Sequence, residues 1–283
     1  MQKIPSPVAI GTDIELFLYD NEKAGIVPCV GILEGTKEKP FQPEGYGKGY
    51  AIQEDNVMVE YNIPPVATTP EFMTAVRNGR TMVAKELSKR HGGLYSLDYR
   101  TVSHKFKARE LQSPQAKLIG CEPDFDAYEG GSIRTNPPAP GLVRSCGGHI
   151  HLGGDFNCPD WVAALFAELF IGMRGRVHNK QSERSKWYGK PGIFRPKPYG
   201  IEYRTPDNSW ATSISGLETI SAWGIETARF LTHSDALVIQ RAFRSIPWVK
   251  VREWMLREDK GTRPAKVQYS EIIRAAKKGG LKI

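Results

Sequence analysis

Tyr199-Gly-Ile-Glu-Tyr-Arg-Thr-Pro206 is a strand-like stretch that opens on a glycine, closes on a proline, and carries Glu202 and Arg204 two residues apart. In a strand, side chains at i and i+2 leave the same face roughly 6–7 Å apart. A carboxylate therefore stands beside a guanidinium. The first can hold a hard cation, and the second can clamp phosphate or carboxylate oxygens.

The same spacing recurs in four other strand-like segments: Asp13/Glu15, Glu60/Asn62, Asp124/Asp126 (with Glu122 one step earlier) and His149/His151. The intervening positions are mostly apolar: Ile14, Leu16, Val59, Phe125, Ile150, Leu152 and Ile201. A half-buried antiparallel sheet has one apolar face and one that can meet water. Such a sheet would gather acids, two histidines and an arginine on its polar face, with neighbouring strands about 4.8 Å apart. Independent solvent-facing pairs explain any one segment better than they explain all five. Clustered carboxylates repel unless cations neutralise them. Several Asp and Glu with one or two His point to Mg²⁺ or Mn²⁺ rather than Zn²⁺.

Around these strands the chain reads as α+β. Val8–Tyr19 and Ile52–Asn62 are strand regions, the second with a turn near Asp55-Asn56. Thr69 is expected to cap a helix with Pro70 in its first position, an apolar stripe of Phe72, Val76, Val83 and Leu87, and a stop at Gly92-Gly93. Lys117–Tyr128 and Ser145–Gly153 read as strands, and Pro159 starts an apolar helix to about Arg176. Gln181–Tyr199 reads as a basic loop containing Arg184, Lys186, Lys190, Arg195 and Lys197, cations suited to spreading the charge of a transferring phosphoryl group. Its aromatics, Trp187, Tyr188, Phe194 and Tyr199, suggest that it is pinned down. From Ile214 the pattern is helical. No internal repeat or linker interrupts residues 1–283, so one domain is expected, with a helical, basic C-terminal part over about 212–283.

Composition excludes several classes. A hydrophobic content of 40% and a charged content of 25% over 283 residues are those of a globular protein able to bury a sizeable core. The longest apolar stretch, Trp161 to Met173, is too short to span a membrane and contains Glu168. The N-terminus lacks a signal-peptide core. Cys29, Cys121, Cys146 and Cys158 show no CxxC spacing, so free thiols in a reducing cytoplasm are expected. Residues 236–283 hold 12 Lys/Arg against 4 Asp/Glu, while the rest of the chain holds 27 of each. A basic end can contact nucleic acid or an acidic partner. Its Trp and Ile residues are spaced as core contacts and no aromatic-basic motif interrupts it, so a helical surface is preferred and nucleic acid disfavoured. No Walker motif and no GxGxxG after a strand occur, so a nucleotide would need another kind of site.

Smaller signals divide evenly. Cys146-Gly-Gly-His149 demands close backbone approach, for a ligand or for a tight strand crossing. Ser132, Arg134, Thr135, Asn136 and Arg144 flank a Pro-rich loop that reads equally as a substrate lid and an idle surface loop. His91, His104, His178 and His233 have no evident partners in sequence.

Taken together, Gly11-Thr-Asp-Ile-Glu-Leu-Phe17, Val59-Glu-Tyr-Asn62, Gly147-Gly-His-Ile-His-Leu-Gly153 and Gly200-Ile-Glu-Tyr-Arg-Thr-Pro206 resemble the carboxylate–amine ligases of the glutamine synthetase and glutamate–cysteine ligase superfamily. Gly120-Cys-Glu-Pro-Asp-Phe-Asp126 and Trp187-Tyr-Gly-Lys-Pro-Gly-Ile-Phe-Arg-Pro-Lys-Pro-Tyr-Gly200 resemble its phage-type branch (COOH–NH2 ligase, type 2). The resemblance covers about residues 8–210.

It implies a curved antiparallel sheet as the floor of the site, holding ATP and two or three Mg²⁺ ions, with Mn²⁺ as an alternative. Glu15 and Glu60 would ligate one ion. Asp13, His149 and Glu202 would serve the ion at the nucleotide phosphates. Arg204 with Arg195 would stabilise the transferring phosphate, and Glu60 joins them as a catalytic residue. Arg184, Lys197, Arg204 and His151 would bind the nucleotide, with His151, Arg144 and Arg184 placed near substrate or nucleotide. Superfamily members often carry Glu where this chain has Asp13. The acid expected before Glu60 has two candidates, Glu54 and Asp55.

The implied activity is an ATP- and Mg-dependent ligation of a carboxylate to an amine, on small-molecule or peptide substrates, in the host bacterial cytoplasm if the gene is a phage's. A homo-oligomer is compatible with it. Two other readings make different demands: a metal-dependent hydrolase built on His149/His151, and a non-enzymatic module docking through the basic end.

Overall fold

In the computed structural model, which describes residues 7–117, 124–134, 141–176, 184, 188–258 and 262–278, the alternating segments pair into a large antiparallel sheet. The strands are β1 (Ala9–Asp20), β2 (Gly25–Val27), β3 (Ala51–Asp55), β4 (Met58–Asn62), β5 (Tyr95–Asp98), β6 (Ser103–Lys105), β7 (Asp124–Asp126), β8 (Ser132–Arg134), β9 (Val143–Ser145), β10 (Gly148–Gly153), β11 (Ile193–Lys197) and β12 (Gly200–Tyr203). The main order is β3-β4-β1-β10-β12-β11-β7-β8, with β2 and β5 pairing to the far half of β1. The helices are α1 (Thr69–His91), α2 (Pro114–Lys117), α3 (Asp160–Ala167), α4 (Met173–Arg176), α5 (Ile214–His233), α6 (Ala236–Ser245), α7 (Trp248–Leu256) and α8 (Arg263–Lys278).

Register follows from the apolar alternation. Ile14, Leu16, Val59, Tyr61, Ile150, Leu152, Ile201, Tyr203 and Phe194 are each no more than 2% exposed and face α1, α3 and α5. Burying each such side chain contributes roughly 1.5–3 kcal/mol. A one-residue slip in any strand would exchange that contribution for buried charge, because it turns every side chain to the other face. The register therefore puts Asp13 opposite both Asn62 and His149, Glu15 opposite Glu60, and Glu202 opposite both His151 and Arg195. Cross-strand partners share a face. One polar face results.

Several local expectations are corrected. The cap of α1 is Thr68, not Thr69. Its side chain accepts from Glu71 N–H, and Glu71 Oε2 in turn accepts the Thr68 N–H at 3.1 Å, a reciprocal arrangement that needs the acid three residues after the cap. Ser145–Gly153 is not one strand. β9 pairs with β6 in a separate ribbon, and β10 joins the main sheet. The break falls at Gly147-Gly148, where a Cβ on Gly148 would stand 2.6 Å from Trp210 Nε1 and 2.7 Å from Asp207 O. Tight crossing accounts for that glycine. Lys117–Tyr128 begins as the end of α2 and ends as β7 followed by a 3-10 turn, Ala127–Glu129; residues 118–123 lie outside the described set. The basic loop contains β11, since Phe194 is core.

The apolar helix from Pro159 holds a surprise in its middle. Glu168–Gly172 is a π-helical turn, and Glu168 is completely buried. Its carboxylate accepts from Tyr203 OH (2.5 Å), Gly192 N (2.9 Å) and Thr205 Oγ1 (3.2 Å). From behind the sheet it ties the loop before β11 to the end of β12.

Candidate functional site

Asp13 sits at the centre of the polar face. It is 8% exposed, with Oδ1 2.9 Å from His149 Nδ1 and Oδ2 3.3 Å from His151 Nε2. Glu202, 2% exposed, receives Lys197 Nζ at 2.9 Å on Oε2 and is paired with Arg204 through Oε1. Arg204 Nε and Arg195 Nε both lie 3.1 Å from Asp124 Oδ1. The cations are thus held upright by acids on neighbouring strands, and Arg204 stays within the site as β12 ends.

Burial and neighbours set the charges. Burial works against ionising Glu202, but Arg204 and the two histidines outweigh it and hold the carboxyl far below its usual range. For Asp13, burial is likewise outweighed by His149 and His151, which keep it well below the ordinary carboxylate value. Glu60 goes the other way: burial, then the charges of Asp13, Asp55 and Glu15, push it well above. Its Oε1 accepts from Gln53 Nε2 at 2.8 Å. Burial disfavours charging His151, while the Asp13 carboxylate beside it raises its basicity above the usual value.

Two sets of ligand-type atoms emerge, each within 4.8 Å of one another: Asp13, His151 and Glu202; and Glu15, Asp55 and Glu60. Neither set contains two histidines, which disfavours a hydrolase's paired-imidazole site among the described residues. The first set is two carboxylates and an imidazole, the second three carboxylates, a composition suited to Mg²⁺ or Mn²⁺. Asn62 Oδ1 is buried and makes no hydrogen bond, and the buried Asp13 Oδ1 and His151 Nε2 meet only the ion-pair partners given above. The residues fit divalent cations.

Of the two acids weighed before Glu60, Asp55 stands in the second set. Glu54 is consumed by backbone, accepting from the N–H groups of Gly31 (3.1 Å), Ile32 (2.9 Å) and Leu33 (3.0 Å). Glu15 also accepts the Gly147 N–H at 2.5 Å. Beside it opens a cavity of about 330 Å³ that reaches Lys37, Arg144, Arg184, Tyr188, Arg195 and Arg204.

Other sequence candidates have structural employment. Arg144 braces three loops, donating to Asn56 Oδ1 (3.0 Å), Gly141 O (2.9 Å) and Ala116 O (2.7 Å) while lining the cavity. Asp126 turns aside to accept the Tyr128 N–H at 2.9 Å, capping the 3-10 turn, so it does not join Asp124 at the site. His91 Nε2 contacts Ile32 O at 2.7 Å, and His104 packs against Phe17 and Phe106. Glu122, Thr135, Asn136, His178, Lys186 and Trp187 lie outside the described residues, as does the side chain of Arg134. Sequence reasoning missed Glu168, hidden in an apolar run, and Tyr199, whose hydroxyl is 2.5 Å from His151 Nδ1.

No family model matches the chain, and no curated protein matches it. Among solved structures, the one described as "GmaS/ADP complex-Conformation 1" is similar at 13% identity, over 99% of this chain and 71% of that chain, with a TM-score of 0.38. "Apo GmaS without ligand" is similar at 12% identity, over 99% of this chain and 70% of that chain, with a TM-score of 0.35. At this level of similarity the chemistry of the site rests on its own residues.

Proposed function

We propose that the protein is an ATP-dependent carboxylate–amine ligase, using divalent cations to form an amide bond. One observation carries the reading: two carboxylate-rich ligand sets, Asp13/His151/Glu202 and Glu15/Asp55/Glu60, share one sheet face with Lys197, Arg195 and Arg204. Cations beside metal-type acids are what phosphoryl transfer from a nucleotide requires. When bound, Mg²⁺ or Mn²⁺ would neutralise the acids and polarise phosphate oxygens.

The residues divide the work by position. Arg204 and Arg195 spread the charge that develops on the γ-phosphoryl group as a substrate carboxylate oxygen attacks it and ADP leaves. Lys197, anchored on Glu202, faces the same phosphates. Arg184, 4% exposed, stands between Glu15 and His149 and orients what enters from the cavity. An amine then attacks the acyl carbon, phosphate departs, and the amine proton passes to a carboxylate of the Glu15/Asp55/Glu60 set. Within that set, burial and the neighbouring acids push the Glu60 carboxyl well above its usual range.

The test is a panel of carboxylates and amines scored for amine-stimulated ADP and phosphate release with Mg²⁺. Glu202→Ala should lower turnover by at least about a hundredfold, the scale of one lost transition-state charge contact. Unchanged turnover in that variant would exclude the assignment.

A further inference from the structure

We infer that Glu168, on the covered side of the sheet, is the positioning residue of Arg204, an assignment that rests on the ligase reading above and deepens it. Glu168 holds the two residues that flank Arg204, and so fixes where the guanidinium stands on the polar side.

Arg204 lies just past β12, which ends at Tyr203 paired with Ile150 and Phe194. The Arg204 N–H still reaches Ile193 O at 2.9 Å, and Pro206 O accepts the Gly148 N–H at 3.2 Å. Between those bonds the chain is outside the ladder, so the aim of Arg204 depends on what holds its neighbours. Successive side chains of an extended chain point to opposite sides. Arg204 shares the polar side with Glu202 and Asp124, while Tyr203 and Thr205, both fully buried, point away from it.

Glu168 meets them there. Its Oε2 accepts the Tyr203 hydroxyl at 2.5 Å and the Gly192 N–H at 2.9 Å. The Thr205 hydroxyl, 3.2 Å away, shares its one proton between that oxygen and Lys190 O at 2.9 Å. Gly192 directly precedes Ile193, whose carbonyl receives the Arg204 N–H. One carboxylate oxygen therefore gathers the residue before Arg204, the residue after it, and the strand on which its backbone leans. Tyr203 is the shortest arm.

The helix is altered to make this grip. Glu168–Gly172 is a π-turn closed by the Met173 N–H on Glu168 O, one residue wider than an α-turn. Such turns recur at functional sites. Its last residue is a glycine, and a Cβ at Gly172 would collide with the Tyr203 hydroxyl oxygen. The turn thus supplies the acceptor at one end and room for the donor at the other. Leu165, Phe166, Leu169 and Ile171 in the same run are buried apolar side chains. A buried carboxylate carries a desolvation cost that another leucine would not. What it adds is direction, since a hydrogen bond fixes distance and angle. Arg204 is placed to meet charge that develops during phosphoryl transfer, so its aim bears on kcat more than on ATP binding.

The experiment is steady-state ADP release by the full chain, at a temperature where melting curves show every variant folded. Tyr203→Phe keeps the ring and removes the hydroxyl. Its kcat should fall about 10- to 100-fold, the larger figure being the cost of a misplacement of about 1 Å, with KM for ATP little changed. Glu168→Gln keeps an oxygen acceptor and should retain far more activity than Glu168→Leu, which keeps only the bulk. In an Arg204→Lys background Tyr203→Phe should cost little more, whereas a merely structural tyrosine would multiply its full effect. A readout without turnover is the Arg204 Nε–H signal in nitrogen-15 nuclear magnetic resonance, identified by its loss in Arg204→Lys. It should shift or broaden in Tyr203→Phe, while the signal of Arg90 at the end of α1 stays in place.

Unchanged kcat in Tyr203→Phe, equal losses in Glu168→Leu and Glu168→Gln, multiplying effects with Arg204→Lys, or an unmoved Arg204 signal would overturn the inference. Any of these in a protein that makes ADP leaves the ligase reading standing. An Arg204 signal that moves in a protein that never turns over ATP defeats the ligase reading alone.

Discussion

Glu60 and Glu168 are both buried acids, and they answer to different physics. Glu168 accepts from Tyr203, Thr205 and the Gly192 N–H, all on Oε2, so its carboxylate is a fastener. Removing one partner of a buried hydrogen bond costs about 1–3 kcal/mol. Glu168→Ala should therefore lower the stability read from urea denaturation by at least that much, and an unchanged midpoint would contradict the role. Glu60 lacks a cation in the metal-free protein and is pushed up by burial and by three neighbouring acids. A folded-state value above the unfolded one means that the folded chain holds its proton longer. Glu60's contribution to stability is then present at low pH and is lost as pH rises through the raised value. Asp13 and Glu202 are shifted down, so theirs is present above the ordinary carboxylate range and is lost only in acid. Melting temperatures in EDTA should fall as pH climbs above about 4.3, the unperturbed glutamate value. Mg²⁺ should remove that fall, and so should Glu60→Gln; a slope indifferent to both would refute the assignment.

At the level of elements, the strands that carry the site were legible because their period is two. Ile14, Ile150 and Ile201 announce the buried face, and Asp13, His149 and Glu202 must then share the other. What stayed hidden depends on contacts between elements. Asp126 looks like Asp124 until β7 ends and its carboxylate turns to Tyr128 N–H. Tyr199 meets its partner only when the β11–β12 turn brings its hydroxyl onto His151. Glu168 is invisible because nothing in an apolar helix tells which strand hydroxyl will lie behind it. The seating of α1 on β4 makes a further prediction. A Cβ on Gly79 would meet the Tyr61 ring at 2.6 Å, and that ring is fully buried. In an exposed helix Gly→Ala stabilises by about 1 kcal/mol. Here Gly79→Ala should destabilise, by about 1–3 kcal/mol as overpacked cores do. Thermal denaturation gives the sign, and a gain in stability would show that α1 is seated elsewhere.

For the whole molecule, the large sheet splits the labour between its faces. The helices α1, α3 and α5 cover one, and the charges of the neighbouring strands from β3 through β4, β1, β10, β12 and β11 to β7 collect on the other. Among the described residues no helix is long and apolar enough to cross a membrane. A two-faced plan of this kind predicts ligand linkage: ATP with Mg²⁺ should raise the melting temperature beyond what Mg²⁺ alone restores, while ATP with EDTA should do much less. A Zn²⁺-dependent hydrolase would not need the nucleotide, and a docking module built on the basic end would need neither. The most direct measurement concerns the carboxylate oxygen. With a carboxylate that supports turnover, labelled with ¹⁸O, the phosphate released in the presence of amine should carry one ¹⁸O atom, because the acyl phosphate leaves with that oxygen. Unlabelled phosphate from a competent reaction would contradict an acyl-phosphate ligase on this face.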